Sequence, residues 1–163
     1  MVEKEKKDLL LKKLKEIKEE KLEGNDEILM ALHASQELFN NSIPLEAAQV
    51  IAEELNVKVG RIYELATFYS MYSTKPRGKH IIRYCESLPC HVRGGREVKD
   101  ALEEFLGIKT GETTKDGMFT LEASSCLGLC GVGPVITVDG EAVGNVTPQK
   151  VKEIIKNYRG EAS

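Results

Sequence analysis

Four cysteines, Cys85, Cys90, Cys126 and Cys130, constrain this 163-residue chain more than any other feature. They form two close pairs, with four residues between the first two, three between the last two and 35 between the pairs. Disulfides seldom persist in a reducing compartment, and the Lys- and Glu-rich start of the chain has no apolar signal region. A cytoplasmic chain is therefore expected, and its clustered thiols need a purpose other than cross-linking. No apolar run approaches the ~20 residues that span a bilayer, so no direct membrane insertion is expected. A net charge of −3 argues against a dedicated nucleic-acid binder. With 41% apolar residues the chain can build a core.

The patterning divides the chain into two halves. Residues 3–22 place Leu10, Leu14 and Ile17 at helical spacing among mixed charges. Gly24-Asn25-Asp26 breaks that run and offers an N-cap for a second helix reaching about Phe39, with Ile28, Leu29, Leu32 and Phe39 inward. Pro44 suits the first turn of a third helix carrying Ala48, Ile51, Ala52 and Leu55. A fourth is expected from Lys58 to Tyr72, with Val59, Ile62, Ala66 and Tyr69 on one face. Its aromatic residues, Tyr63, Phe68, Tyr69 and Tyr72, are expected to pack against neighbouring elements. Residues 1–76 thus read as an N-terminal helical bundle.

Around Ser73 to Lys79 the composition shifts to that of a linker, and 77–163 read as a second domain. Strands are expected at His80–Tyr84, Met118–Ala123, Val135–Val138 and Glu141–Val143, with Asp139-Gly140 as a hairpin turn. Helices are expected at Glu97–Leu106, with Val98, Leu102 and Phe105 inward, and after Thr147-Pro148, with Val151, Ile154, Ile155 and Tyr158 inward. The fold class is α/β: a helical bundle followed by a thioredoxin-like domain with a mixed sheet, read from element order. The first cysteine pair begins where the first strand ends. The second lies between two later strands, so both loops are placed to meet at one end of the sheet.

Four thiolates suit structural zinc or a [2Fe–2S] cluster. Gly94 and Gly95 after the first pair, and Gly128, Gly131 and Gly133 around the second, allow tight turns and close approach of N–H groups to sulfur. Spacing alone leaves zinc and iron–sulfur open, and a zinc-stabilised protein-interaction module without redox activity is the alternative reading.

The flanking residues add a resemblance. Cys85-Glu-Ser-Leu-Pro-Cys90-His-Val-Arg-Gly-Gly and Cys126-Leu-Gly-Leu-Cys130-Gly-Val-Gly-Pro resemble the thioredoxin-like [2Fe–2S] ferredoxin family. That family includes the 24 kDa subunit of respiratory complex I and relatives in NAD-linked hydrogenases and formate dehydrogenases. Arg61 to Tyr72, Ile43-Pro44 and Val143 to Pro148 share the likeness, which covers about residues 25 to 160. The resemblance implies one [2Fe–2S] cluster on Cys85, Cys90, Cys126 and Cys130, with the first pair on one iron and the second on the other. It also implies a one-electron carrier inside a multisubunit oxidoreductase, peripheral to a membrane if at all, with no complete active site of its own. The implied partners are a flavoprotein subunit holding FMN, NAD(H) and a [4Fe–4S] cluster, and further iron–sulfur subunits. The helical half would be a docking surface. This chain itself has no Gly-x-Gly-x-x-Gly after a strand with which to bind NAD. Two positions depart from the family's pattern: Glu86, where small or hydroxyl residues are usual, and Gly133, where alanine is common. An inward Glu86 would lower the cluster's potential.

Other cysteine chemistries fit less well. A Rieske centre replaces two cysteines by histidine, but His80 and His91 lack the spacing, His33 lies far off in sequence, and His91 is expected to orient its loop. Thiol–disulfide exchange normally uses Cys-x-x-Cys, absent here.

Overall fold

The computed structural model describes residues 2–22 and 24–160; the outer ends of the two expected domains, residue 1 and residues 161–163, lie outside them. The chain forms two compact units, Met1–Arg77 and Gly78–Ser163.

The first unit holds α1 (Val2–Glu19), α2 (Asp26–Leu38), α3 (Leu45–Glu54) and α4 (Val59–Phe68). Leu10, Leu14, Leu32, Ile51 and Ile62 are fully buried in one cluster, each side chain stabilising the fold by roughly 1.5–3 kcal/mol. Three local expectations need correction. Asn25 does not cap α2 with its side chain; instead its Oδ1 accepts from Arg61 at 3.0 Å. Pro44 precedes α3 in extended conformation rather than occupying its first turn. The fourth helix stops at Phe68 instead of Tyr72, because the chain turns extended at Tyr69 and carries Tyr72 back into the core. There its ring meets His33 at 5.0 Å and its hydroxyl donates to the Leu29 carbonyl at 2.9 Å. Tyr63 and Phe68, expected to pack, are 60% and 77% exposed.

The second unit is built on β1 (His80–Cys85), β2 (Phe119–Ser124), β3 (Ile136–Val138) and β4 (Glu141–Val143), in the order β2-β1-β3-β4. β1 pairs parallel with β2 and antiparallel with β3, and β3 and β4 form a hairpin. Asp139 and Gly140 both have positive φ in its turn, the geometry that a two-residue turn needs to follow strand twist. A short helical turn, α5 (Leu88–Cys90), follows β1. Two longer helices, α6 (Arg96–Leu106) and α7 (Pro148–Arg159), share a core with the sheet: Val98, Leu102, Val151 and Ile155 pack with Ile82, Phe119, Leu121 and Ile136. Thr147 caps α7 by accepting from the Lys150 N–H. The mixed sheet after a helical half is the expected fold class.

Alternation fails along β2. Thr120, expected outward, is buried, and Ala123, expected inward, is exposed. The segment before the strand folds over Thr120, which shares a 2.8 Å hydroxyl–hydroxyl bond with Thr113 and accepts from the Gly78 N–H at 2.6 Å. Close packing at Gly78 requires glycine, since a Cβ there would sit 2.7 Å from Phe119 backbone.

Candidate metal centre

Parallel pairing brings the two cysteine loops together. Cys85 ends β1 opposite Ser124, which ends β2, so the chain leaves the sheet twice from the same end, once into Cys85–Cys90 and once into Cys126–Cys130. The Cys85 N–H donates to the Val135 carbonyl and the Glu86 N–H to the Ser124 carbonyl, each at 3.1 Å. These bonds pin the start of the first loop.

The first loop is more ordered than its sequence suggests. The helical turn α5 runs into a wide turn over His91–Gly95 before α6 begins. The N–H groups of Cys90 and His91 both donate to the Ser87 carbonyl at 3.0 Å. Gly94 has φ +97°, and a Cβ on Gly95 would lie 2.8 Å from the Cys90 carbonyl oxygen. Both positions therefore exclude side chains. In the second loop Cys130–Val132 form one tight turn, followed by a cis Gly133–Pro134 bond.

The four thiols come as two pairs. Cys85 and Cys90 shift each other's acidity, and the Cys126 and Cys130 sulfurs are 3.8 Å apart. Cys130 is near enough to Cys85 and Cys90 for their charges to interact. Among the described residues no three Cys, His, Asp or Glu side chains gather closely enough to hold one metal ion. Cys85 and Cys90 are buried, Cys130 half-buried and Cys126 exposed.

Backbone N–H groups face the sulfurs. Burial raises the Cys85 thiol, but N–H groups from Ser87 and Leu127, with the Cys90 and Ser87 side chains, outweigh it and bring the thiol below its ordinary value. Burial pushes Cys90 up, helped by its bond to Cys85 and by charge on Cys85 and Cys130, against a Val135 N–H. Cys130 is raised chiefly by its hydrogen bond to Cys126 and by charge there. The Gly128 N–H lies 3.4 Å from the Cys126 sulfur. A [2Fe–2S] cluster takes four cysteine thiolates on two irons, and its charge is stabilised by such N–H donors. Two thiol pairs ringed by N–H groups fit that group.

The surroundings correct several expectations. His91, expected to orient its loop, is exposed and lines a cleft beside Cys85. Arg93, absent from the residues expected to build the site, ties the loops instead: its guanidinium donates to the carbonyls of Cys130 at 2.7 Å and Gly131 at 3.0 Å. Its place three residues after Cys90 is the one signal for it in the sequence. His80 faces away from the thiols to Asp139, 2.7 Å distant. Glu86 is exposed and lines a cleft of about 360 Å³ with Cys85, His91, Arg96 and Lys99. Leu88, Val92, Leu129 and Val132, the exposed large apolar side chains described in this unit, all lie on the two cysteine loops.

A mixed sheet with two thiol pairs at one end suits the class of small iron–sulfur proteins. Residues 14–159 match the thioredoxin-like [2Fe-2S] ferredoxin family, and the chain belongs to it. It is 39% identical over 117 residues, 72% of this chain and 70% of the relative, to the E subunit of the NADH-quinone oxidoreductase of Escherichia coli strain K12. The corresponding protein of Salmonella typhimurium strain LT2 matches with equal identity and coverage. Among solved structures, the NAD+-reducing [NiFe]-hydrogenase in its H2-reduced state superposes with a TM-score of 0.72 over 83% of this chain. At 18% identity that likeness concerns the fold, and the chain spans only 22% of the hydrogenase chain.

Proposed function

We propose that Cys85, Cys90, Cys126 and Cys130 hold one [2Fe–2S] cluster and that the chain carries single electrons within a multisubunit NAD(H)-linked oxidoreductase. The observation that carries this reading is the parallel pairing of β1 with β2, which delivers two thiol pairs and their N–H donors to one end of the sheet. When bound, such a cluster takes up and gives back one electron at a time. The protein's own residues do the rest. Cys85 and Cys90 anchor the site from the buried side, the loop N–H groups offset negative charge on the sulfurs, and Cys126 and Cys130 face outward. The apolar rim of Leu88, Val92, Leu129 and Val132 is the side a redox partner can approach.

The relatives' names, a component of an NADH-quinone oxidoreductase and an NAD+-reducing hydrogenase, support a place in an NAD(H)-linked assembly, and the family resemblance adds, as the partner, a flavoprotein subunit that binds FMN, NAD(H) and a [4Fe–4S] cluster. Further iron–sulfur subunits would pass electrons on. Tyr63 and Phe68, exposed on the helical unit, suit docking in such an assembly. No helix among the described residues is long and apolar enough to cross a membrane.

Iron and zinc analysis of anaerobically purified protein, with visible absorption and EPR before and after dithionite, tests the proposal. Two irons per chain and a single spin-half signal on reduction are expected. One zinc, no iron and no colour after anaerobic reconstitution would replace this reading by the zinc-stabilised interaction module.

A further inference from the structure

Arg93 carries no thiol, yet it joins the two cysteine loops. Its stem passes beside one ligand position: a Cβ built on Gly133 would contact the Cys90 sulfur at 3.4 Å and Arg93 Cδ at 3.6 Å, so the two atoms flank one spot. Its head ends on another, with one guanidinium nitrogen donating to both the Cys130 and Gly131 carbonyls. The backbone aims it there. Arg93 (φ −92°, ψ 15°) and Gly94 (φ +97°) interrupt helical winding, and Gly95 lies against the Cys90 carbonyl.

We propose that Arg93 is a positioning residue for the metal centre, acting in two separable ways. Its hydrogen bonds fix the separation between the Cys90 side and the Cys130 side of the site. Its charge, permanent at any working pH, sits at the Cys130 position and favours whichever state of the site is more negative, the reduced one. Two further cations, Arg96 and Lys99, line a cleft with Glu86 and His91, and Lys99 is paired with Glu103 at 3.8 Å. This inference rests on the [2Fe–2S] reading.

The test uses the full chain, anaerobically reconstituted, with two variants. Arg93→Lys keeps the charge but ends one bond short of the nitrogen that meets both carbonyls, whereas Arg93→Gln loses the charge. Two quantities are read: the half-life of the visible absorption under EDTA, and the midpoint potential by EPR-monitored titration. Both variants should lose the chromophore faster, on the order of five-fold for each hydrogen bond lost. Only Arg93→Gln should shift the potential negative. An Arg93→Gln chain that loads fully and titrates at the wild-type potential overturns the charge role, and one that also keeps the wild-type half-life overturns the assignment entirely. A wild-type chain that takes up no iron is a different failure, that of the underlying [2Fe–2S] reading.

Discussion

Single positions around the cysteines are held by contact and charge rather than by bulk. Gly144 shows the first: a Cβ there would lie 2.6 Å from Val132 Cγ2 and 2.9 Å from the Val132 carbonyl oxygen, while the Asn145 N–H bonds that same carbonyl. The second cysteine loop is thus pressed onto the chain entering α7. Gly144→Ala should destabilise the protein by about 1–3 kcal/mol, seen as a lower urea midpoint. A midpoint unchanged from wild type would show that the loop moves aside freely. Gly133, where the family resemblance leads one to expect alanine, has room for a Cβ at ordinary contact distances, so either residue fits the loop. Glu86 shows the part played by charge. Its exposure beside Arg96 and Lys99 removes the condition, an inward side chain, on which a lowered potential was expected.

Elements are stitched to one another by side chains at their ends. After α6, Gly107 takes a left-handed conformation and closes the helix, and Glu103 reaches over the following turn. The Lys109 ammonium, with the N–H and hydroxyl of Thr110, holds the Glu103 carboxyl at about 2, well below its usual range. The unfolded chain therefore binds that proton more readily than the folded one. The stabilisation is complete above the ordinary glutamate value near ~4.3 and is lost as pH falls from there towards 2. Equilibrium unfolding of the wild type between pH 5 and about 2 should steepen in this window, and Glu103→Gln should flatten it. Equal slopes in both proteins would remove Glu103 from the acid response.

At the scale of the whole molecule the two units own separate cores. All four cysteines, every N–H donor facing them and Arg93 belong to the second unit. Residues 78–163 alone should therefore take up iron and sulfide and give the spectrum of the full chain. Loss of that spectrum in a folded fragment, judged by circular dichroism, would show that the helical unit helps to build the site. The exposed aromatic side chains of that unit lead to no such role in loading.

The sequence by itself determined the helical first half, the strand order that yields a mixed sheet, and the two-pair grouping of thiols. Each is written in local pattern: helical or alternating spacing, a hairpin turn at Asp139-Gly140, and cysteines close together in the chain. Tertiary structure decided what local pattern does not encode. The burial of Thr120 depends on a segment folding back over it, and the early end of α4 depends on Tyr72 finding the Leu29 carbonyl. The meeting of the loops depends on the parallel register of Cys85 with Ser124, and Arg93's reach depends on a turn wound by Gly94 and Gly95. These are contacts between residues distant in sequence or bends set by backbone angles, so their energies appear only once the chain has folded.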